Sequence, residues 1–361
     1  NLNLKSMQTN FIIKDKKLNT SILIKKNYIS TFVENIAKKN EKVFCIIDSK
    51  IKNKFNFEKE KNVKIITIKC GEKIKTINGY KNLAEKLIKN NLNRKSVIVA
   101  IGGGTLGDLA GFISSTVLRG LDFFLVPTTL LSQVDSSIGG KNGINMNYGK
   151  NMLGTFYQPK EVLIDVSVLN SLPNKEIKSG YAEIIKHALI NDYNFFCWLE
   201  KNIDKLLNLN KSILEKAIYK SIMIKLFYVR KDEKESLLNS HSRAMLNFGH
   251  TIGHAIESYY NYKKFNHGEA ISIGMITEAK ISNYLGLLSS TELDRIIIHF
   301  KKCKLKIFDR IIKEKKLIKI ISKDKKNFKN NINFSLINKI GSSIFYKKLN
   351  KDKVYKILQN I

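Results

Sequence analysis

Val97-Ile-Val-Ala-Ile-Gly-Gly-Gly-Thr-Leu-Gly-Asp108 decides the fold of the first half of this 361-residue chain. Its first five residues form an unbroken apolar run, as in a parallel strand covered on both faces. Gly102, Gly104 and Gly107 then satisfy Gly-x-Gly-x-x-Gly, and a helix is expected over 109–117. Between a strand and a helix, that spacing lets backbone approach a pyrophosphate at a helix N-terminus. A tight turn that needs no ligand is the other reading of the same glycines. Asp108, directly after the third glycine, departs from the dinucleotide fingerprint, whose acidic residue lies about 20 residues further on.

Outward from this stretch, Val43-Phe-Cys-Ile-Ile47 reads as a buried strand ending at Asp48, and Val63-Lys-Ile-Ile-Thr-Ile68 as another. Residues 77–90 have helical periodicity, and Phe123-Phe-Leu-Val126 is a strand stopped by Pro127. Strands alternating with helices imply a doubly wound, Rossmann-like α/β domain with ligands at the carboxyl ends of its strands. From about Pro173 the pattern becomes helical, over 176–190, 195–206, 213–231, 247–259, 269–285 and 292–301. The expectation is an α/β domain over 1–170 and a mostly α-helical domain over 171–361. The Lys/Asn-rich stretch 311–333 keeps Ile and Leu recurring, so it is read as folded.

Composition narrows the function classes. A hydrophobic fraction of 43% and a charged fraction of 26% fit a globular protein of two domains. No apolar run approaches the roughly 20 residues of a membrane span, and no secretory signal is visible, so an untargeted cytoplasmic protein is expected. Four scattered cysteines form neither a disulfide framework nor a thiolate zinc site. The net charge of +32 is spread along the chain and is nearly all lysine, with Asn and Ile inflated alongside. That pattern looks like drift toward A/T-rich codons and argues against a nucleic-acid partner, although a positive field would still gather an anionic substrate. Arginine survives at only six positions, of which Arg119 and Arg243 fall in motif-dense stretches where a planar fork suits carboxylate or phosphate.

Two further stretches carry chemistry. Arg243-Ala-Met-Leu-Asn-Phe-Gly-His-Thr-Ile-Gly-His-Ala-Ile-Glu257, followed by Asn266-His-Gly-Glu269, holds three of the six histidines. His250 and His254 are four apart, the spacing of helical zinc ligands, but also of two ordinary surface or core histidines. His267 beside Glu269, with Arg243 and Asn247 upstream, puts too many polar groups here for a packing surface. Pro127-Thr-Thr-Leu-Leu-Ser-Gln-Val-Asp-Ser-Ser-Ile-Gly-Gly-Lys141, then Asn145 and Gly149-Lys-Asn-Met-Leu-Gly-Thr-Phe-Tyr-Gln-Pro159, concentrates hydroxyls, an aspartate and lysines. Such a pocket suits a nucleotide and a phosphorylated substrate.

These two stretches, with Ser179-Gly-Tyr-Ala-Glu-Ile-Ile-Lys186, resemble in order the 3-dehydroquinate synthase family, over about Asp48 to Lys326. The resemblance implies NAD+, a catalytic Zn2+ (or Co2+), a phosphorylated sugar-acid substrate and a homodimer. It assigns Glu183, His250 and His267 to the metal, a carboxylate and two imidazoles with open positions, as catalytic zinc requires. His254 then faces substrate instead of metal. Lys141, Asn151, Arg243, Asn247 and Lys325 match substrate contacts, Lys186 and Lys225 further active-site lysines, and Arg119 a phosphate contact reaching across the dimer. The NAD positions matched are Asp48, Glu72, Lys75, Gly103, Gly104, Asp108, Thr128, Thr129, Asp135, Ser136, Lys141 and Lys150. The departures are Thr105 for a branched aliphatic, Asn142-Gly143 for a threonine-alanine pair and Met146-Asn147 for a His-Pro; they bear on loop rigidity. The implied reaction turns 3-deoxy-D-arabino-heptulosonate 7-phosphate into 3-dehydroquinate. Its rivals are another sugar-phosphate cyclase, a metal-dependent polyol dehydrogenase and a non-catalytic basic binding protein.

Overall fold

Residues 96–102 cannot be exposed on either face without stranding apolar surface, and the structure places all seven of them in the interior. The computed structural model describes residues 11–55, 57, 60–147, 149–237, 239–322 and 331–361, with backbone alone at 345–347. It divides into two compact units, Asn1–Leu172 and Pro173–Ile361.

In chain order the first unit holds β1 (Phe11–Asp15), β2 (Thr20–Lys25), α1 (Ile29–Ala37), β3 (Lys42–Asp48), β4 (Val63–Ile68), α2 (Ile77–Lys89), β5 (Ser96–Gly102) and α3 (Gly104–Thr116). It continues with β6 (Phe123–Pro127), β7 (Lys141–Met146), β8 (Gly149–Phe156) and β9 (Glu161–Asp165). Seven strands share one sheet in the order β1-β2-β9-β6-β5-β3-β4, parallel throughout except for β1 against β2. The run β4-β3-β5-β6-β9 has the 2-1-3-4-5 order of a doubly wound sheet, whose switch point lies between β3 and β5. Ile47 lies opposite Ile101, so Asp48 and Gly102 follow at neighbouring carboxyl ends, on either side of that switch. One face of the sheet is sealed by α1: Phe32, Val33 and Ile36 share a buried cluster with Val43, Cys45, Val97, Val99 and Ile101. Each fully buried Val or Ile contributes about 1.5–3 kcal/mol, which is why β5 takes an interior position, between β6 and β3.

The second unit holds α4 (Asn174–Asn191), α5 (Tyr193–Leu207), α6 (Lys211–Lys231), α7 (His250–Tyr259), α8 (His267–Tyr284), α9 (Ser290–Lys302), α10 (Lys315–Ser322), β10 (Asn331–Lys339), β11 (Ser342–Asn350) and α11 (Lys351–Asn360). Two differences from the sequence reading matter. The helix expected over 247–259 begins only at His250, because Gly249 takes φ 80° and Arg243–Asn247 forms a separate 3-10 turn. The unit also contains an antiparallel hairpin, β10–β11, which the sequence reading did not foresee. Ile332, Phe334 and Leu336 point inward from it to join Ile252, Ile256, Leu317 and Leu358 in one core.

His299 of α9 is buried against α4, with Nε2 2.6 Å from Tyr181 Oη. Burial pushes its pKa down to about 4; Lys302 and Arg295 reinforce this and Glu200 opposes it. Its folded value is below the unfolded one of about 6.5, so its contribution to stability is complete above about pH 6.5 and is lost as pH falls towards 4. Denaturant melts from pH 7 to pH 4 should show a loss on the order of 3 kcal/mol, and His299→Asn should flatten that part of the profile.

Candidate active site

In the first unit β5 delivers Gly102 and α3 begins at Gly104, with Gly103 as its N-cap. A Cβ on Gly103 would stand 3.3 Å from Thr129 Cγ2, and one on Gly104 would stand 2.7 Å from Ser136 Oγ. The two glycines therefore leave a cradle at a helix N-terminus that any side chain would fill, as backbone approach to a pyrophosphate demands. Its far wall is the loop after β6. Thr128 N–H donates to Gly102 O at 2.9 Å, and Ser132–Ser136, which carries Asp135, forms a π-helical turn. Such turns are frequent at functional sites.

Beside the cradle, Lys75 is buried in an ion pair with Asp108. Burial pushes the Asp108 carboxyl up, in spite of the opposing Lys75. Asn145 ties this group together: its N–H donates to Lys75 O at 2.8 Å and its Nδ2 to Glu72 Oε1 at 2.7 Å, while its Oδ1 accepts from Asn151 N–H at 3.0 Å. Lys150 Nζ lies 3.7 Å from Glu72. Glu72, Lys75, Asp108, Lys150 and Asn151 are thus one network, with Asn145, which the sequence reading quoted in this polar stretch without an individual role, as its hub. Lys141 opens β7 and is exposed. Arg119 is also exposed, on a turn where Leu118, Arg119 and Gly120 all take positive φ. The Asn142 departure is accommodated: the side chain is buried and its Nδ2 donates to Gly140 O and Tyr157 O.

In the second unit the polar residues converge from three helices. Glu183 comes from the middle of α4, fully buried. His250 and His267 are the first residues of α7 and α8. Glu183 Oε1 lies 3.7 Å from His250 Nε2 and 3.5 Å from His267 Nε2. Tetrahedral ligands about 2.1 Å from a zinc ion are themselves about 3.4 Å apart, so the spacing suits one shared cation. Lys186 Nζ lies against Oε2, but neither carboxylate oxygen receives a hydrogen bond of good geometry. A buried carboxylate in that condition is costly unless a cation completes it. Both imidazoles have Nδ1 engaged, His250 with Phe248 O at 3.1 Å and His267 with Glu257 Oε1 at 3.4 Å. The Nε2 lone pairs are left for the shared point.

The electrostatics follow the same geometry. Burial raises the Glu183 carboxyl, but Lys186, His267 and His250 outweigh it and hold it well below the ordinary range. Burial and then Lys186 drive His250 well down, which favours the neutral imidazole that a metal ligand must be. Burial also opposes charge on His267, yet its contacts with Glu183 and Glu257 push it up to about 10. A proton there stands where a cation's charge would, and binding a metal through that nitrogen would release it.

Of the other expected residues, His254 and Lys186 adjoin this centre. His254 is half-exposed, its ring centroid 5.1 Å from that of His250 and 6.0 Å from that of His267. Lys186 and Lys225 are buried on α4 and α6. Arg243 is buried and placed by Asp232, which accepts from Ser236 N–H, Leu237 N–H, Ser242 Oγ and Arg243 N–H. Those donors outweigh burial and lower the Asp232 carboxyl. Arg243 Nη1 donates to Glu233 O at 2.9 Å, and Asn247 Nδ2 to Glu235 Oε1 at 2.9 Å. Lys325 lies outside the described residues.

The comparisons bear directly on this geometry. Family models described as 3-dehydroquinate synthase N-terminal and C-terminal match residues 65–179 and 180–327. A 3-dehydroquinate synthase of Dictyoglomus thermophilum is 38% identical over 353 residues, 96% of each chain. The chain belongs to the 3-dehydroquinate synthase family. A second member, from Caldanaerobacter subterraneus, is 40% identical over 329 residues, 89% of this chain and 91% of that one. Among solved structures, a 2-epi-5-epi-valiolone synthase from Streptomyces hygroscopicus with NAD+ and Zn2+ bound shares the fold, with TM-score 0.85 and 20% identity over 99% of this chain and 98% of that one. A 2-deoxy-scyllo-inosose synthase complexed with carbaglucose-6-phosphate, NAD+ and Co2+ aligns with TM-score 0.78 and 25% identity over 98% and 99%.

One positioning element was not among the residues expected from the sequence. Glu278 of α8, fully buried, accepts from Gly249 N–H at 2.6 Å and Ile252 N–H at 3.1 Å, and so caps the start of α7 from a neighbouring helix. Glu278→Ala leaves two buried donors unpaired, at about 1–3 kcal/mol each. Chemical denaturation should show a loss of about 2–5 kcal/mol in total, and an unchanged midpoint would refute the cap.

Proposed function

We propose that this chain is a 3-dehydroquinate synthase, a carbon–oxygen lyase acting on a phosphorylated sugar acid. It converts 3-deoxy-D-arabino-heptulosonate 7-phosphate to 3-dehydroquinate and inorganic phosphate. The course is transient NAD-dependent oxidation, β-elimination, re-reduction and intramolecular aldol closure. The observation that carries this reading is the buried Glu183 oxygen facing two imidazole Nε2 atoms at cation-sharing distance, in a chain of this family. When bound, NAD+ supplies reversible hydride acceptance and Zn2+ (or Co2+) supplies Lewis-acid polarisation of the C5 hydroxyl.

Glu183, His250 and His267 would hold the metal. Asp48, Glu72, Lys75, Gly103, Gly104, Asp108, Thr128, Thr129, Asp135, Ser136, Lys141 and Lys150 would hold NAD+, the glycine cradle taking the pyrophosphate and the carboxyl end of β3 the ribose. Arg243 suits the substrate carboxylate, because a buried guanidinium fixes both oxygens of a planar anion. Lys141, Asn151, Asn247 and Lys325 are further substrate contacts, and Lys186 and Lys225 set the charge around the sugar ring. Oxidation at C5 acidifies the C6 proton, so phosphate leaves from C7, with the phosphate itself as base. His254 stands beside the ligand histidines to relay a hydroxyl proton. The protein's larger contribution is to hold one intermediate in place and exclude water until the ring closes.

A homodimer is part of the proposal. Met146, Met152, Leu153 and Phe156 on the β7–β8 hairpin and Leu118 beside Arg119 are exposed, an apolar face suited to a second copy, with Arg119 as its phosphate contact. Four free cysteines are in keeping with a reducing, cytoplasmic setting. Among the described residues no helix is long and apolar enough to cross a membrane.

The decisive assay incubates protein with the heptulosonate phosphate, catalytic NAD+ and zinc. Phosphate and dehydroquinate should appear in equal amounts without NADH build-up; steady NADH growth would instead mark a polyol dehydrogenase. His250→Ala should lose bound zinc. His254→Ala should keep it while turnover falls about 10²–10⁴-fold. Equal metal loss in both variants would overturn this division of roles.

A further inference from the structure

Beyond the three proposed ligand residues, the second unit holds a second carboxylate beside them whose placement is not explained by packing. Glu257 lies in the last turns of α7, with its side chain only 6% exposed. Its Oε1 is 3.4 Å from His267 Nδ1 and its Oε2 is 4.0 Å from His254 Nε2. The carboxylate thus lies between His267, one of the two histidines that face Glu183, and His254.

We infer that Glu257 is a positioning residue for the metal centre, accepting the Nδ1–H of His267 so that Nε2 is held toward Glu183. The inference rests on the reading of Glu183, His250 and His267 as the metal ligands. An imidazole has two nitrogens and two ring orientations, and only one combination presents a lone pair to the cation. For His250 a backbone carbonyl, Phe248 O, makes that choice. His267 is the first residue of its helix, N-capped by Asn266 in a capping box with Glu269, and here the choice falls to a side chain. A carboxylate in that position also raises the basicity of the ligand nitrogen, and losing such a partner typically costs metal affinity about 10–100-fold. Glu257 further reaches towards His254, so one residue sets both the ligand ring and its neighbour.

The same three groups, His254, Glu257 and His267, could themselves hold a cation, since one donor atom from each lies within 4.8 Å of the others. The two arrangements differ in stoichiometry, because His267 Nε2 serves Glu183's site and Nδ1 faces Glu257. The experiment is a Co2+ and Zn2+ titration of chelator-treated full-length protein against a competing chelator, for wild type, Glu257→Ala and Glu257→Gln, with the visible spectrum of each Co2+ form. Wild type should bind one ion tightly per chain. Glu257→Ala should bind it about 10–100-fold more weakly, with displaced Co2+ absorption bands. Glu257→Gln, which keeps an acceptor oxygen and the side-chain volume, should recover most of both. Wild-type affinity and spectrum in both variants would overturn the role of Glu257 while leaving the three-ligand site intact. A second tight ion lost with Glu257 would make it a ligand and refute the positioning role. No tight ion in wild type would remove the metal centre itself and this inference with it.

Discussion

A carboxylate with no exposed surface, placed in the middle of a helix, governs the second unit. Glu183 is flanked on α4 by Ala182, Ile184 and Ile185, all fully buried, so its charge has no route to water. An isolated buried ion is worth several kcal/mol of destabilisation, more than a marginally stable domain can leave uncompensated. The compensation comes from Lys186 on the same helix and from the charged His267 imidazole of another, with His250 Nε2 turned to the same oxygen. Everything that positions α7 and α8 therefore also serves to neutralise one residue of α4.

That positioning rests on close backbone approach. A Cβ on Gly274 of α8 would overlap Gly249 O, and one on Gly268 would overlap the Ser179 backbone of α4. Side chains at these points would push the helices apart and carry the histidines out of range of Glu183. Glu278 then fixes the left-handed turn at Gly249. The unit thus stores three buried or nearly buried carboxylates, Glu183, Glu257 and Glu278, around two short helix starts. Their divided labour spans ligand, orientation and cap.

Much of the first unit was legible in the sequence because its buried parallel strands are short, β-branched apolar runs bounded by glycine, proline or aspartate. The glycines after it were legible because their spacing encodes steric need. The helical half was harder. The start of α7 was misplaced by three residues, since Arg243-Ala-Met-Leu-Asn keeps helical periodicity although Gly249 breaks the helix in space. The β10–β11 hairpin had a signal, Ile332, Phe334 and Leu336 alternating before a Gly341 turn with φ 85°, but Lys and Asn around it masked the period. Asn145 and Glu257 stood inside the stretches singled out but without a role, and Glu278 left no local trace. Each acts on a residue distant in the chain or through a single hydrogen bond, and no spacing rule reports such a contact. The metal set itself was reached through family likeness; the residues alone left the closer His250–His254 pair open as the ligand pair.

His250 and His267 each open a helix, and this has an electrostatic consequence. The aligned peptide dipoles place roughly half a positive charge at each of those ends, so both imidazoles sit in a field that repels a cation and welcomes an anion. Grip on a divalent ion must then come chiefly from Glu183. The same field favours any oxyanion that shares the ion's open positions. A cation held there would be gripped less strongly than its donor set alone implies, and would be the more acidic for it.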